Sequence, residues 1–137
     1  LESINEIAKK EGLSNINTLL HDLNQSLTLE QHYDVVLSTV ALQFLTPKKI
    51  PELLFKLKAA TKTKGYHFLV FPIQSELYSF PEHFTYLPQK DELYHAYQNS
   101  GWSILSYKES VGHLHKKDAA GRFMAGLFGV MIAQKNG

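Results

Sequence analysis

Residues 34–39, Asp34-Val35-Val36-Leu37-Ser38-Thr39, follow an acid with three consecutive apolar residues and end on two hydroxyls. A strand with one wet face alternates apolar and polar residues. A strand without alternation is covered on both faces, as in a parallel sheet with helices on either side. The pattern predicts a central strand over Tyr33 to Thr39. Ligands of open α/β sheets bind in the crevice beyond the carboxyl ends of the strands. A site is therefore expected at Ser38 and Thr39, with Val40, Leu42 and Phe44 following.

Composition fits one domain over residues 1–137. A chain of 137 residues with 44% hydrophobic side chains can bury roughly two-thirds of its unfolded surface. A net charge of +1 lacks the clustered Lys and Arg that nucleic acid or an anionic membrane demands, so neither partner is expected. The absence of Cys rules out a disulfide framework and a thiolate metal site, and suits the cytoplasm. The longest apolar run, Phe68 to Phe71, is far short of the ~20 residues a membrane helix needs. The chain opens without Met inside an amphipathic pattern, Ile4, Ile7 and Ala8, that ends at Gly12. It is expected to be part of something longer.

Ile16 to Leu20 reads as a short strand entering a turn at His21-Asp22-Leu23-Asn24. Thr46 to Lys49 reads as a tight turn. Ile50, Leu53, Leu54 and Leu57 then fall at i, i+3, i+4 and i+7, one buried stripe of a helix with proline near its start. Gly65 is expected to close that helix, and Tyr66 to Ile73 to form a dense strand. Gln74 to Gln89 is a long loop rich in aromatic residues, a length that in a compact domain points to function or disorder. A short helix over Asp91 to Ser100 is stopped by Gly101, followed by strands at Trp102 to Lys108 and Phe123 to Ala133. The polar link Gly112 to Gly121 between them holds no helix, which suits an antiparallel hairpin.

Several strings resemble one family: Asp22-Leu23-Asn24, Tyr33 to Val40, Phe44-Leu45, Ile50-Pro51, Lys62 to Tyr66, and Val111-Gly112-His113-Leu114-His115 with Asp118-Ala119 and Gly121. In one order, from about Leu1 to Lys135, they resemble the tellurite-resistance methyltransferases, a branch of the class I S-adenosylmethionine-dependent enzymes. The resemblance implies an α/β fold, a partial Rossmann-like class I sheet with flanking helices and a C-terminal antiparallel hairpin. In the family's strand order, 3-2-1-4-5-7-6, the strand at Ile16 is strand 3 and the strand at Tyr33 is strand 4. The glycine-rich turn after strand 1 and the acidic end of strand 2 are not in this chain, which corresponds to the C-terminal portion of a methyltransferase domain. Such a sheet is expected to be completed by other residues, to pair strand 3 with strand 4, or to form a homodimer through the gap.

The resemblance implies S-adenosylmethionine as cofactor, with Asp22 accepting from the adenine amino group, the Leu23 backbone against the ring, and Ser38, Thr39 and Val40 at the methionine end. It places His115 at the substrate end, with Lys116 and Arg122 attracting a chalcogen oxyanion such as tellurite or selenite. Lys116 stands where the branch usually has Arg, a point charge in place of a bidentate fork. Taken by themselves, Asp22 is a turn former, Ser38 and Thr39 are strand-end hydroxyls, and Lys116 and Arg122 belong to a solvated hairpin. His113 and His115 alternate by two and share a face, but they lack further ligands for a metal. Phe84 and Tyr86 form either a substrate-pocket wall or a cover for the sheet. The corresponding functions are methyl transfer to a chalcogen oxyanion, transfer to another small molecule, or a non-enzymatic assembly module.

Overall fold

The computed structural model describes all 137 residues. Helix α1 spans Glu2–Lys10 and strand β1 Tyr33–Thr39. Short 3-10 turns at Leu42–Phe44 and Pro47–Lys49 lead into helix α2, Ile50–Ala59. Strand β2 (Thr61–Pro72), helix α3 (Glu92–Gln98) and strands β3 (Trp102–Lys117) and β4 (Phe123–Lys135) complete the chain. The sheet order is β1-β2-β4-β3, with β1 parallel to β2 and the other two pairings antiparallel. This is the 4-5-7-6 half of the expected order.

The predicted stripe on α2 is real. Ile50, Leu53 and Leu54 are buried and Leu57 is half-buried. They join Leu69 and Phe71 of β2, Tyr97 of α3, Trp102 of β3 and Met131 of β4 in one core. The alternation of buried residues along β2 shows that this core lies on one face of the sheet.

The other face is open at β1, where Val35 and Leu37 are 57% and 66% exposed. The expectation of a central strand covered on both faces therefore does not hold, because β1 lies at the sheet's edge. The predicted strand at Ile16 to Leu20 does not form either. Five residues of strand propensity need a neighbour for their backbone groups, and Leu19 and Leu20 here project into solvent. Nor does this segment pair with β1. Helix α1 buries only Ala8.

Gly65 does not end α2. The helix stops at Ala59, and β2 starts at Thr61, earlier than expected. The Lys135 ammonium of β4 donates to the carbonyl oxygens of Lys58, in the last turn of α2, and Thr61, at the start of β2, both at 2.8 Å. Gly65 instead lets two backbones approach. A Cβ there would sit 2.8 Å from the carbonyl oxygens of both Asp34 and Lys62. Gly65→Ala is expected to cost about 1–3 kcal/mol, the range for forced overpacking, read as a lower urea midpoint at unchanged slope. A wild-type midpoint would remove the close approach as Gly65's reason.

Strand β3 runs to Lys117, so the polar link is only the turn Asp118 to Arg122. Glycines face each other across the hairpin, Gly112 against Gly126.

A polar group of three side chains, His67, Thr61 and Tyr97, lies inside the core. His67 is fully buried, with Nε2 2.8 Å from the Thr61 hydroxyl and Nδ1 2.7 Å from the Tyr97 hydroxyl. The Thr61 hydroxyl donates to the Leu57 carbonyl oxygen. It must therefore accept from His67, which fixes the proton on Nε2 and leaves Nδ1 to accept from Tyr97. The Trp102 ring lies against the imidazole, centroids 4.4 Å apart.

Candidate functional site at the carboxyl end of β1

Two clefts lie at the carboxyl end of β1. The first, about 360 Å3, is lined by Leu23 and Leu27 on one side and by Ser38, Thr39, Leu42 and Leu53 on the other. The second, about 480 Å3, is lined by Val40, Val70, Gly112, His113, His115 and Phe128 among others. Thr39 lines the first and Val40 the second, so both clefts reach the strand end predicted as the site.

The 22–26 turn is fastened in place. The Asp22 carboxylate accepts from the Asn24 N–H at 2.9 Å, an Asx turn. Asn24 Oδ1 accepts from the Thr46 N–H at 2.7 Å, and Lys56 Nζ donates to the Ser26 hydroxyl. Leu23 is thereby held over the first cleft, while Asp22 is exposed beside it.

Val40 is a β-branched residue with φ +53°, a left-handed conformation that such side chains rarely adopt. Strain of this kind gathers at functional sites and persists only where the surroundings hold it. Two hydrogen bonds do so here. The Val40 N–H donates to the Val70 carbonyl oxygen, and the Gln43 side-chain amide donates to the Val40 carbonyl oxygen, each at 2.8 Å.

An aromatic group from the long loop stands alongside. Phe44 stacks on His83 and meets Phe84 edge-on, and Phe84 stacks on Phe80. Phe80 in turn meets Phe128 edge-on, a ring of the second cleft. The glycine pair makes this possible. A Cβ at Gly126 would collide with the Phe80 ring, and one at Gly112 would come within 2.9 Å of Phe128. The long loop is thus ordered by aromatic packing.

Of the residues singled out from sequence, Leu23, Ser38 and Thr39 share the first cleft, and Val40 and His115 share the second. Phe84 lies in the aromatic group, away from both linings. Tyr86 is buried on the α2–α3 side, where its hydroxyl donates to Glu92 at 2.6 Å. Burial, then that bond and the Glu92 charge, push its pKa far above the usual phenol range. Arg122 is at the hairpin tip, 3.7 Å from Asp118 Oδ2 and largely exposed, and Lys116 is also exposed. No group of three or more His, Asp or Glu is arranged to hold a metal, and no helix is long and apolar enough to cross a membrane.

Gln43 and Phe80 were not found from sequence. A lone amide in the apolar run Val40 to Leu45 was the available signal for Gln43. Phe80 had none beyond its loop.

The strand order, the crossover through α2 and the closing hairpin define the class I methyltransferase fold. A solved member of that fold, the 1,6-didemethyltoxoflavin-N1-methyltransferase of Burkholderia thailandensis, matches 98% of this chain and 56% of its own at TM-score 0.66 and 15% identity, a likeness of fold alone. Within the fold, the model of the family described as tellurite resistance protein TehB matches residues 1–132, and the chain belongs to that family. It is 33% identical over 132 residues to the probable S-adenosyl-L-methionine-dependent methyltransferase TehB of Haemophilus influenzae, covering 96% of this chain and 45% of that protein. The crystal structure of TehB from that organism matches at TM-score 0.87 and 32% identity, over 97% of this chain and 45% of that one. The chain thus spans less than half the length of these relatives.

Proposed function

We propose that the protein containing this chain transfers a methyl group from S-adenosylmethionine to a small soft nucleophile, a chalcogen oxyanion such as tellurite or selenite. The observation that carries the reading is the strained end of β1, with an apolar cleft on one side and a histidine-lined cleft on the other. Family membership and the names of its relatives support it.

The first cleft fits the cofactor in part. Leu23 and Leu27 offer an apolar surface for a flat ring, Asp22 stands exposed beside it, and Ser38 and Thr39 supply hydroxyls at the far end. A glycine-rich cradle and an acid for the ribose are not among residues 1–137. Residues outside this chain are expected to complete the site. When bound, the cofactor would supply an activated methyl group on a positively charged sulfur, held by the Leu23 and Leu27 surface and the Ser38 and Thr39 hydroxyls. Because that methyl is already activated, this chain's residues need only align the partners and exclude water. Phe80, Phe128 and Val40 restrict water. His115 can hold or release a proton on the acceptor oxygen.

Calorimetric titration of the full-length protein with S-adenosylhomocysteine tests the first cleft. We expect micromolar binding, weakened about tenfold in Asp22→Ala by loss of one hydrogen bond and its turn. No binding by the full-length protein would overturn the reading.

A further inference from the structure

Gln43, whose side chain reaches the strained Val40, is 1% exposed. Its Nε2 donates to the Val40 carbonyl oxygen, and its Oε1 is buried without a hydrogen-bond partner. A buried acceptor left unpaired is costly, and an apolar side chain of the same length would avoid the cost. The amide needs a compensating role. Its main chain has one too: the Gln43 carbonyl oxygen accepts from the N–H groups of Thr85 and Tyr86, at 2.8 and 3.2 Å. The Thr85 hydroxyl donates to the neighbouring Leu45 carbonyl oxygen at 2.8 Å. The residue that restrains the left-handed Val40 therefore also fastens the aromatic loop beside it.

We propose that Gln43 is a positioning residue for the acceptor pocket: its side chain holds Val40 in the left-handed conformation, and its main chain fixes the Phe80–Tyr86 segment against that turn. The proposal rests on the transferase reading for its kinetic consequence, but not for its structural one. A left-handed Val40 needs restraint because its branched side chain opposes that conformation, whereas glycine takes it freely. Removing the amide should move Val40 toward an ordinary conformation and shift one wall of the second cleft.

The test is a cycle in the full-length protein of Gln43→Met, Val40→Gly and the two together. Methionine keeps the length and removes the donor. With selenite as acceptor, Gln43→Met is expected to lower kcat/KM about tenfold in the valine background and less than twofold in the V40G background, a coupling of ordinary size for residues in contact. The dissociation constant for S-adenosylhomocysteine should stay within twofold in both. A merely structural Gln43 would move cofactor affinity and turnover together. The same cycle read by Tm is expected to be non-additive by roughly 3 °C or more. Additive Tm shifts, or an equal kinetic penalty in both backgrounds, would overturn the proposal. If the wild type neither binds the cofactor nor turns over, the transferase reading fails, and the Tm cycle still decides for or against Gln43.

Discussion

Replacing His115 by alanine in the full-length protein is expected to lower S-adenosylhomocysteine release with selenite by about 10²–10⁴-fold, the contribution of a positioned acid or base. The imidazole lines the cleft that begins at Val40, the first residue beyond β1. His115→Gln should be as slow as the alanine variant, since an amide keeps hydrogen bonding but exchanges no proton near neutral pH. Cofactor affinity should change less than twofold, because the residues of the first cleft are untouched. Arg122→Ala is expected to be much milder. That guanidinium pairs with Asp118 at the hairpin tip and is four-fifths exposed, where an ion pair contributes little. Wild-type turnover in His115→Ala would remove the imidazole from the proposed chemistry.

Acid is expected to destabilise the fold by about 3 kcal/mol through one buried side chain. His67 is lowered from the usual 6.5 to about 4, first by burial, against a smaller opposing effect of the Leu57 carbonyl, and then by the charges of Lys58 and Lys135. Above pH 6.5 the imidazole is neutral in the folded and unfolded chains, and its contribution is complete. As pH falls from 6.5 toward 4 the unfolded chain takes up a proton that the folded one refuses, so stability drops across that window. About 2 kcal/mol is gone by pH 5 and about 3 kcal/mol by pH 4. Urea unfolding at pH 7, 5 and 4 measures the decline, and His67→Gln should flatten it whatever its own stability. An equal slope in the variant would show that other groups carry the acid sensitivity. Tyr97 reports the same network, because burial also pushes its phenol up and its proton is already committed to Nδ1.

What was legible in the sequence follows from how local each signal is. Strand β1 has the predicted bounds, and α2 starts at Ile50 with the expected stripe, because three consecutive apolar residues or a 3.6-residue period speak for themselves. Ile16 to Leu20 carries the same composition without a partner, and pairing is not written in a five-residue window. Gly65 shows a related limit. A glycine after a helix pattern reads as a stop, but here it lets the backbone pass close to the Asp34 and Lys62 carbonyls, at the irregularity where the register of β1 on β2 shifts. The extension of β3 was hidden because its outer residues are polar and its one glycine, Gly112, lies against the Phe128 ring of β4. At the site, the strand end and its hydroxyls were readable from pattern, and His115 through resemblance. The separation of Tyr86 from Phe84 was not readable. Residues alternating in a loop share a face only if the chain there is extended, and Gln43 turns that segment so that Tyr86 points to Glu92.

The place of β4 inside the sheet bears on how such a chain is made. Strand β4 is last in sequence yet lies between β2 and β3. While the ribosome is still adding residues 123–135, β2 has one edge without a neighbour and β3 has no partner at all. Met131 and Ala133, among the most enclosed side chains of the core, arrive almost at the end of this segment. This sheet therefore closes only after β4 has emerged. A stop codon within the stretch encoding residues 123–135 would leave two sticky edges for chaperones and proteases to find.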